Sequence, residues 1–358
     1  MIKFGELLDV DANNTTHNKK IRRNKHTIPW VDKYRPSKLS EVVYQHDIIK
    51  MLSNILTTGN MPHLLFYGPP GTGKTSSILA IAMELFGPRK YSERVIELNA
   101  SDERGINIVR NKIVTLAKSA VSLRDPDYLC PAYKIIILDE ADAMTTEAQS
   151  ALRKTMEDNS SKTRFCFICN YINQIIDPII SRCVIFRFKP IDEKNMSFKL
   201  LNIAEKEKMK ISDDAIKSIS NISNGDMRKS IMFLQNLNYL NKYIDVPDVL
   251  EIANMVPTDK IDEILTKCIN TTVDVNEIVI LANEFNTTGY PISIVLSQLI
   301  EAIVNNTEIN DKMKSQICLH ISNTEKRLID GADEYLQLLS IFMCIKSSFN
   351  KKESIYSV

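Results

Sequence analysis

The residues Gly68-Pro69-Pro70-Gly71-Thr72-Gly73-Lys74-Thr75 fill every fixed position of the pattern G-x-x-x-x-G-K-[ST]. Glycines at this spacing let backbone N–H groups close around phosphate oxygens, and a helix N-terminus adds partial positive charge. Lys74 in such a loop reaches the β- and γ-phosphates of a nucleotide. Thr75, followed by Ser76, offers a hydroxyl to Mg²⁺. Downstream, Ile135-Ile136-Ile137-Leu138 runs straight into Asp139 and Glu140. Asp139 suits a direct or indirect role on Mg²⁺, and Glu140 can orient and polarise an attacking water. Alone, this second run reads equally well as a strand ending in a polar turn. With the phosphate loop upstream, it reads as the acidic half of one metal–triphosphate pocket.

Such a loop needs a strand before it and a helix after it. His63–Tyr67 is a short apolar stretch that reads as the strand, and Ile78, Ile81, Ala82 and Leu85 form one face of the helix. Further strands are expected at Arg94–Leu98, Lys134–Asp139, Arg164–Asn170 and Cys183–Phe188. These runs are nearly continuous in apolar residues, as expected of strands covered on both faces. Helical stretches between them imply a parallel sheet with crossover helices, in which ligands sit beyond the carboxyl ends of the strands. After Pro190 the strands stop. Ser212-Asp213-Asp214 opens a helix carrying Ile216, Ile219 and Ile222, Asn224-Gly225 closes it, and another begins at Asp226. From Val246 onward the pattern is of successive amphipathic helices. The expected fold is α/β: a P-loop nucleotide domain (29–190), a small helical lid (191–245) and an all-α C-terminal domain (246–358). A polar, disordered extension (1–28) precedes them. Its basic cluster, Lys19, Lys20, Arg22, Arg23 and Lys25, reads as an import signal, a phosphate-contacting arm or a solvated tail.

At 358 residues the chain has room for two or three domains. It has 44% hydrophobic and 25% charged residues, no bilayer-length apolar run and no secretory signal, which points to a soluble intracellular protein. Seven scattered cysteines do not suggest a disulfide framework. Cys166 and Cys169 have C-x-x-C spacing but lie in a strand-like run with no second ligand pair nearby, so core burial is expected. A net charge of +1 excludes a polycation, so nucleic-acid contact requires a local basic surface.

The phosphate loop together with Asp139-Glu140-Ala141-Asp142 resembles the AAA+ ATPases. Further runs narrow the resemblance: Trp30-Val31-Asp32-Lys33-Tyr34-Arg35-Pro36, Glu97-Leu98-Asn99-Ala100-Ser101-Asp102-Glu103-Arg104-Gly105, Ser181-Arg182-Cys183 and Gly225-Asp226-Met227-Arg228. Together they are similar to motifs of the small subunits of replication factor C, the sliding-clamp loader. The resemblance implies ATP and Mg²⁺ as ligands. It places Val31, Tyr34, Arg35 and Val43 around the adenine, Asn170 and Arg228 as sensors of the γ-phosphate, and Asn99 as a switch on Glu140. It makes Arg182 an arginine finger acting in a neighbouring subunit. It implies a heteropentamer with other replication factor C subunits, a ring-shaped clamp and primer–template DNA as partners, and no membrane. The C-terminal helices would form a collar. DNA backbone contact is expected along two helices carrying Arg104, Arg110 and Lys112, and Arg153 and Lys154. For each of these a solvated helix face is the competing reading. Many relatives have two arginines where this chain has Arg153-Lys154, which weakens any bidentate role of the second position. Trp30 reads better as core packing than as a nucleotide contact. Thr146-Glu147-Ala148-Gln149 has capping-box spacing. Localisation follows the source: nuclear in a cellular eukaryote, otherwise the cytoplasm or a viral replication site. The rival readings are a branch-migration helicase of the same superfamily and a subunit that binds nucleotide only to brace the ring.

Overall fold

The computed structural model describes residues 28–42, 46–100, 113–118, 125–270, 272–307 and 309–353. Five strands, β1 (Leu64–Tyr67), β2 (Val95–Asn99), β3 (Lys134–Asp139), β4 (Thr163–Cys169) and β5 (Val184–Arg187), form one sheet in the order β2-β3-β4-β1-β5. Every neighbouring pair is parallel, so each connection is a crossover. The strand ends lie within one or two residues of those expected from the sequence.

Side chains alternate across the sheet with period two. Leu64, Phe66, Ile135, Ile137, Cys166 and Ile168 face the helices His46–Thr58 and Lys74–Arg94. Leu65, Ile136, Leu138, Phe165, Phe167 and Cys169 face the helix Thr146–Asp158 and the segment around Ala117. Cys166 and Cys169 therefore lie on opposite faces. Burial pushes both thiols up, Cys169 to about 12. They form no metal or redox pair. The expectation of coverage on both faces fails for β5. It is one of the two sheet edges, with only β1 beside it among the described residues, and Val184 and Ile185 are exposed.

The lid comprises the helices Glu193–Lys206, Asp213–Ser223 and Met227–Asn238 around Met196, Leu200, Ile219 and Leu234. Ser212 caps the second of these through the Ala215 N–H, Asn224 ends it in a left-handed conformation, and Asp226 caps the third through the Lys229 N–H. The same core takes in Val249 from the helix Val246–Ile252 and, from the far end of the sequence, Trp30. A separate core, including Ile264, Leu281, Leu299, Ile317 and Phe342, unites the five helices from Thr258 to Glu353. Among the described residues no helix is long and apolar enough to cross a membrane.

Candidate nucleotide site

Strand β1 ends at Tyr67, and the chain turns through three glycines before the helix beginning at Lys74. Gly71 has φ +68° and Gly73 has φ +92°, the left-handed region that glycine enters without strain. At Gly71 a second requirement applies. A Cβ there would lie 1.7 Å from Asp226 Oδ1, the cap of the lid helix. The Met227 N–H donates to the Gly71 carbonyl at 3.2 Å. The loop and the start of the lid helix are thus in direct contact.

Lys74 is only 7% exposed. Its Nζ donates to the carbonyls of Gly68 and Pro69, both at 2.7 Å, and to Asn170 Oδ1 at 3.0 Å. Burial pulls its amine below the usual value, and the nearby Asp139 charge opposes this. Thr75 Oγ1 donates to Asp139 Oδ2 at 2.9 Å, and the other Asp139 oxygen accepts the Glu140 N–H at 2.9 Å. Glu140 takes φ +53° and ψ +41°, an uncommon conformation for a residue with a side chain. Asp142 Oδ2 accepts the N–H groups of Asn170 at 2.9 Å and Tyr171 at 3.1 Å. The acidic run is thereby tied to the end of β4, which carries Asn170. Thr75 and Asp139 are the hard oxygen donors through which a cation such as Mg²⁺ would be held. The glycine-walled loop, with its buried ammonium, has the shape and charge to take phosphates.

One cleft joins these residues to the lid. It is lined by Pro70 to Ser76, Asp139, Glu140 and Asn170 below, by Val31, Tyr34, Arg35 and Val42 at one side, and by Ile191, Met227, Arg228 and Ile231 from the lid. Val43 lies outside the described residues. The Tyr34 hydroxyl donates to the Glu207 carboxylate, and the Tyr34 ring meets the Trp30 ring edge-on at 6.3 Å. Trp30 itself is in the lid core, and its backbone N–H donates to Gln235 Oε1 at 2.9 Å. Lys199 also lines the cleft. Burial first, then Lys206, lowers its amine, against the pull of Glu41. Nothing in the sequence distinguished Lys199, because its place depends on which face the lid helix Glu193–Lys206 turns inward.

Other candidate residues lie outside the cleft. The β2–β3 register pairs Asn99 with Asp139, one position before Glu140. Arg182 follows the short helix Asp177–Ile180 and is not a cleft residue. Arg153 and Lys154 are on the helix Thr146–Asp158, where Lys154 lines a groove facing Val114 and Lys118. Arg104, Arg110 and Lys112 lie outside the described residues. The expected capping box shifts by one residue. Thr145, not Thr146, is the cap, accepting the Ala148 N–H at 3.3 Å. Gln149 is buried and joins Met144, Gln174 and Ile176 instead of reaching back to the cap.

Residues 64–191 match the model of the AAA ATPase family, 199–237 that of the RCF1/5-like AAA+ ATPase lid domain, and 256–344 that of the replication factor C C-terminal domain. The chain is 48% identical to replication factor C subunit 2 of Oryza sativa subsp. japonica, over 87% of this chain and 92% of that one. It is 46% identical to replication factor C subunit 4 of Homo sapiens, over 93% of this chain and 90% of that one. It belongs to the replication factor C subunit family. Similarity extends to the replication factor C small subunit of Archaeoglobus fulgidus, 41% identical over 90% of this chain and 98% of that one. Among solved structures, the Thermotoga maritima RuvB Holliday junction branch migration motor superimposes with a TM-score of 0.51 at 19% identity, covering 74% of this chain and 91% of that one. At that identity the match speaks for the fold alone. This replication factor C chain thus carries an AAA-family ATPase domain, and the cleft lies between that domain and the lid.

Proposed function

We propose that the chain is the ATP-hydrolysing small subunit of a heteropentameric clamp loader, which opens a sliding clamp and loads it onto primer–template DNA during replication. The observation that carries this reading is the convergence of Lys74, Thr75, Asp139 and Asn170 through direct hydrogen bonds in one cleft, within a chain of the replication factor C family. Lys74 and the loop amides bind the β- and γ-phosphates, and Thr75 and Asp139 hold Mg²⁺. When bound, that ion neutralises charge developing on the transferred phosphoryl group. Glu140 orients the attacking water, and Asn170 holds its place beside it. Val31, Tyr34 and Arg35 surround the adenine. Arg228 reports the γ-phosphate to the lid, and Asn99 turns Glu140 away from water until DNA is present. Arg182 stabilises transition-state charge in the next subunit, which requires head-to-tail assembly. Arg153 and Lys154 track the duplex backbone, giving affinity and register without sequence readout. Residues 29–190, 191–245 and 246–358 act as motor, lid and collar, and the collar holds the subunits together. Location follows the source, nuclear in a cellular eukaryote.

Single-turnover ATP hydrolysis by the reconstituted complex, with and without Glu140→Gln, tests the assignment. Loss of this site's turnover with retained ATP binding is the expected result. Unchanged turnover identifies a subunit that only braces the ring.

A further inference from the structure

Arg182 and Arg153 share a single acceptor. Glu157 Oε1 accepts Arg182 Nε–H at 2.9 Å and lies 2.5 Å from Arg182 Nη2. It also accepts Arg153 Nε–H at 3.3 Å, one turn back on its own helix. Arg182 Nη1 donates to the Pro178 carbonyl at 2.7 Å and approaches Ser181 Oγ at 3.4 Å. The guanidinium is therefore gripped by a carboxylate on the Nε–Nη2 edge and by a carbonyl at Nη1, which fixes its plane. The two guanidiniums hold the Glu157 carboxyl below the usual carboxylate range, so it stays charged at neutral pH.

This arrangement is not explained by stability. The Arg182 and Glu157 side chains are 33% and 44% exposed, and pairs so open to water contribute little to folding. Its physical effect is on order. An unrestrained arginine carries rotamer entropy that must be lost when it meets a phosphate. Two neighbouring cations would also repel each other, and the carboxylate between them offsets that repulsion. Each guanidinium keeps N–H groups that Glu157 does not use.

We propose that Glu157 is a positioning residue for hydrolysis in trans: its carboxylate holds the Arg182 guanidinium, with Arg153 beside it, in the orientation that meets ATP in the neighbouring subunit. The inference rests on the reading of Arg182 as a trans-acting finger. Glu157 does not line the nucleotide cleft and acts only through the arginines.

The test uses the complete reconstituted complex, with ATP turnover and KM measured for Glu157→Ala, Glu157→Gln, Arg182→Ala and the Glu157→Ala/Arg182→Ala double variant. Glu157→Ala should lower the Arg182-dependent part of kcat about tenfold, the scale expected of a misplaced catalytic group, with KM for ATP and thermal stability unchanged. Glu157→Gln, whose amide oxygen still accepts N–H groups, should recover much of the loss. In the Arg182→Ala background, Glu157→Ala should change nothing further. Glu157→Ala that leaves kcat unaltered, raises it, or slows it equally without Arg182 overturns the proposal and leaves the trans reading intact. Arg182→Ala with full turnover removes the trans reading itself, and the proposal with it.

Discussion

The Asp142 carboxylate accepts the backbone N–H of Asn170 at 2.9 Å, and the same oxygen accepts that of Tyr171 at 3.1 Å. The last acid of the Asp139–Asp142 run thus fixes where β4 releases Asn170, whose amide meets Lys74. Asp142→Ala should lower ATP turnover by about 10- to 100-fold, as expected when a reacting-site group shifts by about 1 Å. Nucleotide affinity should change much less. Asp142→Asn keeps an acceptor and should be milder. Steady-state hydrolysis beside a fluorescent-nucleotide titration checks both.

Gly71→Ala should damage the junction between loop and lid. Its Cβ would lie 1.7 Å from Asp226 Oδ1, and its φ of +68° costs a further ~1–2 kcal/mol for a residue with a side chain. Gly289 has φ +76° but nothing within 4 Å of an added Cβ. Gly289→Ala should therefore show the backbone cost alone. Thermal unfolding should separate the two, and nucleotide affinity should fall only for Gly71→Ala.

Trp30→Ala should destabilise the lid specifically. It empties a buried indole site among Ile191, Met196 and Ile231, a change that costs about 3–5 kcal/mol when an aromatic leaves a core. Hydrogen exchange should rise in the helices Glu193–Lys206 and Met227–Asn238, while β1, β3 and β4 remain protected.

His63 makes the fold acid-sensitive. Burial, with Arg164 alongside, lowers its imidazole from the ordinary 6.5 to about 4, and its Nδ1 accepts the Phe165 N–H at 3.1 Å. Between those two values the unfolded chain binds more protons, so stability rises with pH across that window. The contribution is fully present above 6.5 and is lost as pH falls through about 4. It should amount to about 2 kcal/mol after allowance for partial solvent contact. In His63→Asn, whose side-chain oxygen can replace Nδ1 as acceptor, the denaturation midpoint should vary less between pH 4 and 6.5.

The strands were legible because their apolar runs are bounded by polar and turn residues, and the meeting of Lys74, Thr75, Asp139 and Glu140 in one cleft because the motifs fix where the loop and the acidic run lie. Exposure of Val184 and Ile185 was not legible. An edge position is a property of strand order, and β5 reads locally like its neighbours. The capping-box spacing pointed to Thr146, but the bond of the buried Gln149 side chain to the Gln174 carbonyl, which takes it away from any cap, is a tertiary fact. Lys199 and Glu157 escaped for the same reason. Arg182 reaches Glu157, and Glu41 reaches Lys199, from other elements of the chain.

Trp30 lies in the lid core, whereas Leu39, shortly after it, packs with the helices His46–Thr58 and Lys74–Arg94 of the nucleotide domain and donates its N–H to Glu84 at 2.6 Å. The polypeptide therefore spans the cleft once here and again near Ile191, where the lid begins. The lid is suspended from two covalent points, like a bucket on a double handle. Any rocking of the lid about the line joining them would carry the rim residues Val31, Tyr34 and Arg35 with it. A single proteolytic nick between Arg35 and Lys38 would turn that constrained pivot into a loose tether without removing one atom from the phosphate loop.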